Sequence, residues 1–206
     1  MSTLLHLDSS PRGDRSISRS LTRDFVEAWK EAHPGASVIS RDLGHDPLPF
    51  VSEEWVAAAF SPAPTPAEQA TLALSNTLID ELLAADRWVL GLPMFNLSVP
   101  AAFKAWIDQI VRVGRTFGFG ANGLEGLVKG KKVTVIAVSG GVYRPGTPYE
   151  AYNFQEPYVR GILGFIGVTD VEFIVADGVN DVNFGKIDRA SYLAPIREKV
   201  VASAKA

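Results

Sequence analysis

The chain has 206 residues, 20 basic and 23 acidic side chains, a formal net charge of −3, and a hydrophobic share of 47%. That length suits one domain over residues 1–206 with a sizeable core, and the apolar share excludes a disordered chain. The charge balance excludes a polybasic nucleic-acid or membrane anchor, and the absence of cysteine excludes disulfides, a thiol nucleophile and cysteine metal sites.

In chain order, the apolar run Leu4–Leu7 predicts a first strand. A hydroxyl-rich loop follows, with Ser9, Ser10, Arg12, Arg15, Ser16 and Ser18. A helix then starts, with Ile17, Leu21, Phe25, Ala28 and Trp29 at helical spacing. Ser37–Ser40 predicts a second, weaker strand. Gly44–Pro64 reads as a long loop with four prolines and the aromatics Phe50, Trp55 and Phe60. Thr65-Pro66-Ala67-Glu68 is a capping box that opens a helix carrying Leu72, Ser75, Ile79 and Leu82 on one face. Trp88–Leu92 predicts a third strand. The next helix is expected from Ser98 to Val113, with Pro100 early and a stop at Gly114. Gly114–Gly130 reads as a glycine-rich loop bearing Phe117 and Phe119. Val133–Val138 and Val171–Val175 predict the fourth and fifth strands, with a helix opened near Pro157 between them. A last helix is expected over Lys186–Ala202, kinked at Pro195.

This βα alternation implies a five-stranded parallel sheet covered by helices on both faces. His6, His33 and His45 lie far apart and lack metal-ligand spacing. No basic, apolar leader or membrane-length run stands out, so a cytoplasmic location is expected.

In a sheet of order 2-1-3-4-5, ligands bind beyond the carboxyl ends of the strands, on the loops after strands one, three and four. The first of these is the serine loop. It opens onto a helix N-terminus, where unpaired N–H groups and the helix dipole favour an anion. Neither the GxGxxG nor the GxxxxGK[ST] pattern occurs there, so a terminal monophosphate fits better than a pyrophosphate. Ser10, Ser16 and Ser18 would supply hydroxyls, and Ile17 and Ser18 backbone N–H groups. The loop after strand three is Pro93-Met94-Phe95-Asn96-Leu97, able to flank a flat heterocycle and meet its polar edge. The loop after strand four holds Ser139-Gly140-Gly141-Val142-Tyr143, whose glycines let backbone N–H groups approach ring oxygens closely. Together these loops describe a planar ring with a phosphate, the shape of flavin mononucleotide.

The same segments carry a family resemblance that runs through nearly the whole chain. Ser10 with Ser16-Ile17-Ser18, Pro93-Met94-Phe95-Asn96, Phe103-Lys104-Ala105-Trp106-Ile107-Asp108, Gly114-Arg115-Thr116-Phe117, Gly123–Gly130 and Gly164–Val171 are its most specific pieces. On these the chain resembles the FMN-dependent NADH-azoreductases, flavodoxin-like quinone reductases of bacteria. The resemblance implies a flavodoxin-like three-layer sandwich and an FMN-bound homodimer with active sites at the dimer interface. It implies NADH or NADPH as donor and a quinone or azo compound as acceptor, reduced by two electrons in ping-pong turnover at one site. Two such cycles would cleave an azo bond. The family's Ser-Arg before the paired glycines falls here on Val138-Ser139, so Val138, Ser139, Gly140 and Gly141 form this chain's version of the ring-edge loop. Phe95 stands where tyrosine is common, and Tyr143 where some members carry histidine. Phe117, Phe119 and Tyr143 are candidate substrate contacts, and no protein group is required as a catalytic nucleophile because the flavin carries the redox chemistry. The apolar residues Phe103, Trp106, Ile107 and Ile110 are expected to contribute to the dimer contact. The alternatives are a non-enzymatic flavodoxin-type electron carrier, against which a charge of only −3 argues, and a flavin-free partner-binding subunit.

Overall fold

The computed structural model describes residues 2–121 and 123–206. Each predicted apolar run forms a strand, one or two residues longer than its apolar core. In chain order the strands are β1 (Thr3–Asp8), β2 (Ser37–Asp42), β3 (Arg87–Pro93), β4 (Phe117–Gly120), β5 (Gly123–Gly126), β6 (Lys132–Val138) and β7 (Asp170–Ala176). The helices are α1 (Ile17–Ala32), α2 (Glu53–Phe60), α3 (Pro66–Thr71), α4 (Ala73–Ala84), α5 (Ala101–Ile110), α6 (Gln155–Phe165), α7 (Val179–Asn183) and α8 (Arg189–Lys205). The main sheet runs β2-β1-β3-β6-β7, all parallel, which is the expected order once the β4–β5 hairpin is set aside.

Period-two alternation splits the core into two layers. Leu5, Leu7, Trp88, Leu90, Leu92, Val133 and Val135 face α4, α5 and α6, where Leu78, Phe103, Trp106, Val159 and Leu163 meet them. Leu4, Val89, Ile136 and Val138 face the other way, against Phe25 and Trp29 of α1 and Leu193 and Val200 of α8. Trp88 and Trp106 meet edge to face at 6.5 Å in the first layer. Phe103, Trp106, Ile107 and Ile110 are each 2% exposed or less, so they serve the protomer's own core and give no argument for a dimer.

Several boundaries differ from expectation. The helix that opens with the Thr65 capping box breaks at Leu72, which buries against Trp55 and Ala58 of α2 while Ser75, Leu78 and Ile79 turn to the sheet side. Ser52 caps α2 by accepting the Trp55 N–H at 3.2 Å, so the proline-rich loop contains a helix. Helix α5 is shorter at both ends. Ser98 is taken by a bridge to Phe95, and Thr116 closes the other end by donating to the Ile110 carbonyl at 2.7 Å and accepting the Arg112 N–H at 2.9 Å. The glycine-rich segment is an antiparallel hairpin, with Phe117 opposite Gly126 and Phe119 opposite Leu124. Before α8, which is capped by Asp188 and contains Pro195, lies the unanticipated short helix α7.

Candidate functional site

The site is built from the carboxyl ends of β1, β3 and β6. The strand β1 ends in Asp8, and the serine loop begins at once. Ser9 donates its hydroxyl to the Gly91 carbonyl at 2.8 Å and its N–H to the same oxygen at 3.2 Å, which pins the loop to β3. That hydroxyl is therefore spent on structure. Ser10, Ser16 and Ser18 are recessed, each 3% exposed or less, and line one side of a depression of about 220 Å³. Ser16 is the N-cap of α1: its Oγ accepts the Arg19 N–H at 3.3 Å and lies 3.1 Å from Ser18 Oγ. Its carbonyl accepts the Ser20 N–H at 3.3 Å. The Ile17 and Ser18 amides thus remain as the first-turn donors without helical partners, pointing where an anion is favoured. Arg12 lines the same depression.

What holds the serine loop lies behind it. Arg19 Nε donates to the Ser10 carbonyl at 2.6 Å, and the guanidinium pairs bidentately with Asp42 at the end of β2, with Nη1 to Oδ2 at 2.8 Å. Asp8 lies 3.7 Å from the same guanidinium and accepts the Thr22 hydroxyl at 2.9 Å. The Arg19 bond, with help from His45, holds the Asp42 carboxyl down to about 2, and the Arg19 pKa is raised in turn, chiefly by Asp42. Gly44 packs directly on the Ser10 carbonyl, leaving no room for a Cβ. Sequence reading reached none of Arg19, Asp42 or Gly44. The only sequence signal was the presence of an arginine in the first turn of α1.

The loop after β3 is a tight hairpin turn. Phe95 and Ser98 exchange both backbone hydrogen bonds, at 2.9 and 3.1 Å, across Asn96 and Leu97. Those two residues have φ of 48° and 72°. Two consecutive left-handed residues between a bonded pair make a type I′ turn, normally Asn-Gly. Leucine at the second position is strained by about 1 kcal/mol or more. Strained residues of this kind cluster at ligand clamps and active sites, and this pair stands beside the second depression described below. The turn is tied down by Met94 N–H to Val138 O at 2.6 Å and Phe154 N–H to Leu97 O at 3.1 Å.

The loop after β6 is zipped to the start of α7. The N–H groups of Gly178, Val179 and Asn180 donate to the carbonyls of Gly141, Ser139 and Gly140, each at 3.1 Å. Ser139 Oγ turns back to the Gly141 carbonyl at 2.9 Å. With those carbonyls facing α7, the Gly140 and Gly141 amides donate to no protein group among the described residues. A Cβ on Gly140 would come within 2.7 Å of the Asn180 amide, and one on Gly141 within 3.1 Å of the Tyr143 ring. A side chain at Gly140 would displace the Asn180 amide, and one at Gly141 would press on the Tyr143 ring.

Pro93, Met94, Phe95, Val138 and Gly140 complete the depression that holds the serines. Met94, Asn96, Leu97, Gly140, Gly141 and Tyr143 line an adjoining one of about 430 Å³. Together they have the scale of a small-molecule site. Val138 sends its side chain into the α1–α8 core, so its contribution is its backbone. Ser139 lines a separate small cavity of about 40 Å³ behind Met94 and Tyr143. Phe117 and Phe119 are not brought to these depressions. Phe117 packs on Phe165 at 4.9 Å, and Phe119 stands on the hairpin, 76% exposed. The structure adds Val179, Asn180 and Asn183 of α7, which sequence reading did not single out. Among the described residues there is no group of acidic or histidine side chains able to hold a metal, and no helix long and apolar enough to cross a membrane.

Residues 2–200 match the family described as having a flavodoxin-like fold. The chain is 57% identical over 203 residues to a protein of Trichormus variabilis called FMN-dependent NADH:quinone oxidoreductase 2, covering 97% of each chain. It is 46% identical over 202 residues to an FMN-dependent NADH:quinone oxidoreductase of Acidobacterium capsulatum, covering 97% of this chain and 98% of that one. Among solved structures, an azoreductase from Bacillus anthracis str. Sterne superposes with a TM-score of 0.88 at 28% identity, covering 100% of this chain and 99% of that one. The chain belongs to the flavodoxin-like fold family and, within it, to the family of the FMN-dependent NADH:quinone oxidoreductases.

Proposed function

We propose that this chain is an FMN-dependent NAD(P)H oxidoreductase that reduces quinones by two electrons and cleaves azo compounds reductively, its residues 1–206 forming one flavin-binding domain. The observation that carries the reading is the convergence of the three loops. Recessed hydroxyls and unpaired first-turn amides stand at one end of the site, and a strained turn faces two glycine amides at the other. These residues fit the cofactor. Ser10, Ser16 and Ser18, with the Ile17 and Ser18 N–H groups, would hold its phosphate. Pro93 to Leu97 would hold its ring, with the backbone of Val138, Ser139, Gly140 and Gly141 at the ring edge. When bound, FMN supplies the redox chemistry by taking a hydride from the nicotinamide donor and passing it to the acceptor.

The protein's own work is positional and electrostatic. The Gly140 and Gly141 amides are fixed in advance by the α7 zipper, so they can stabilise negative charge at the ring edge without reorganising. Met94 and the Asn96–Leu97 turn would pack on one face of the ring, and the other would be left for donor and acceptor in turn. Tyr143 borders that face and could hydrogen-bond an acceptor oxygen.

We infer further that the active form is a homodimer. Its support is exposed apolar surface: Phe95, Val99 and Tyr158 share a depression next to the ring turn, Phe154 lies against that turn, and, away from the site, Phe119 stands exposed on its hairpin. A partner covering this surface would bring Phe117 or Phe119 to the wall of the other protomer's site. The cytoplasm is the proposed location.

The test is direct. The purified protein should be yellow, and NADH oxidation by a benzoquinone should give parallel lines in double-reciprocal plots. A colourless protein that takes up no FMN, or intersecting lines, would overturn the reading. Slow turnover with quinones alongside rapid reduction of a protein acceptor would instead favour the electron carrier.

A further inference from the structure

We propose that Asn180 and Asn183 of α7 bind the polyol chain of the cofactor, an inference that rests on the FMN reading above. Met94, Gly140 and Asn180 are the residues that line both the serine-side and the ring-side depressions. Asn180 therefore stands at their junction. Its backbone N–H is fixed on the Gly140 carbonyl at 3.1 Å, and its side-chain amide lies across Gly140, with Oδ1 and Nδ2 only 2.7 and 2.9 Å from the point a Cβ there would occupy. Asn183, one turn further, lines the serine-side depression with Val179. Both side chains are exposed to the site rather than buried in the fold.

Chemistry selects what these amides would face. A phosphate is served by the serine loop and Arg12, and a flat ring by Met94 and the hairpin turn. Between the two runs a chain of neutral hydroxyls, each both donor and acceptor. A carboxamide is the neutral side chain that offers donor and acceptor together, and two of them one turn apart can follow such a chain. A charged side chain here would either repel the phosphate or compete with the serines for it. The space left by Gly140 is what allows Asn180 to lie so close to the loop, so the glycine and the asparagine form one device.

The experiment compares FMN with analogues that each lack one of the three polyol hydroxyls, using dissociation constants from flavin fluorescence. Asn180→Ala with Asn183→Ala should bind FMN about fivefold or more weakly, the factor for one ordinary hydrogen bond. At least one analogue should bind the unaltered protein about fivefold more weakly than FMN does, and that difference should vanish in the double variant. Each single variant is measured beside the double one, and circular dichroism checks that the fold is kept. The proposal is overturned if the double variant binds FMN as the unaltered protein does. It is equally overturned if every analogue weakens both proteins by the same factor, or if none weakens the unaltered protein. If the unaltered protein binds no FMN at all, the cofactor reading itself fails, a result distinct from these.

Discussion

Gly44→Ala tests whether the serine loop is held from behind rather than by its own hydrogen bonds. Gly44 does not line the depression that holds Ser10 but packs on that residue from behind. Its φ is not in the left-handed region, so alanine brings no conformational strain of its own. The obstacle is space. A Cβ would fall well inside the van der Waals envelope of the Ser10 carbonyl and 2.8 Å from Arg19 Nη2. One of the two backbones must move, and Ser10 is held there by the Arg19 Nε bond at 2.6 Å. Losing a hydrogen bond to a charged group costs about 1.5–3 kcal/mol, or roughly ten- to a hundredfold in an equilibrium constant. Displacement of Ser10 also removes one hydroxyl from the proposed phosphate site. The expected outcome is a loss of FMN affinity of at least about tenfold, with riboflavin, which lacks the phosphate, affected much less. Titration of the apoprotein with the two flavins measures the ratio directly. A Gly44→Ala protein that binds FMN with unchanged affinity would refute the reasoning, because it would show that Ser10 need not stay where Gly44 and Arg19 place it.

Ser18→Ala should weaken FMN binding by roughly tenfold or more while leaving thermal stability close to unchanged, whereas Ser16→Ala should weaken binding and lower thermal stability as well, since it also removes an N-cap worth about 1 kcal/mol. Asp42→Asn should flatten the acid limb of stability. The Asp42 carboxyl is held down to about 2 from an ordinary 3.8, so its contribution is present above 3.8 and is lost as the pH falls through about 2; denaturant unfolding between those pH values should show a steeper fall in the unaltered protein than in the variant. Sedimentation should give about twice the 22.2 kDa chain mass, and Phe119→Asp should shift the protein toward monomer with loss of quinone reduction. A fully active monomer at micromolar concentration would remove the dimer from the proposal.

The five parallel strands were legible because strands buried on both faces must be short, continuous apolar runs, and Leu4–Leu7, Trp88–Leu92 and Val133–Val138 can be little else. Once their order was inferred, the rule that ligands sit at the carboxyl ends of such strands pointed to three loops that the structure brings together around two adjoining depressions. The supports of those loops were not legible, for a physical reason. Arg19 and Asp42 are 23 residues apart and meet only because β1 and β2 pair in register, and Gly44 faces Ser10 only through that pairing. Ser9 and Ser10 are the same residue type side by side, yet one hydroxyl is consumed by the Gly91 carbonyl and the other faces the depression. Nothing local distinguishes them. Helix α7 has five residues, too few to show a 3.6-residue period, and the Asn96–Leu97 turn lacks the glycine that announces a type I′ turn.

That missing glycine bears on how the site works. An Asn-Gly pair would form the same turn without strain, but glycine would also leave the turn free to relax into other shapes. Leucine tolerates φ of 72° only because its neighbours hold it there: the bonded Phe95–Ser98 pair, the Met94 N–H on Val138 O and the Phe154 N–H on Leu97 O. The same Val138 carbonyl ends the strand that leads into Gly140 and Gly141, whose own carbonyls are fixed by α7. The ring turn and the ring-edge loop are therefore one hydrogen-bonded unit spanning β3, β6 and α7. Under the proposed function, a cofactor ring entering between them would meet amides already aimed, and the hydrogen bonds that force Leu97 into its strained conformation are the ones that keep them so.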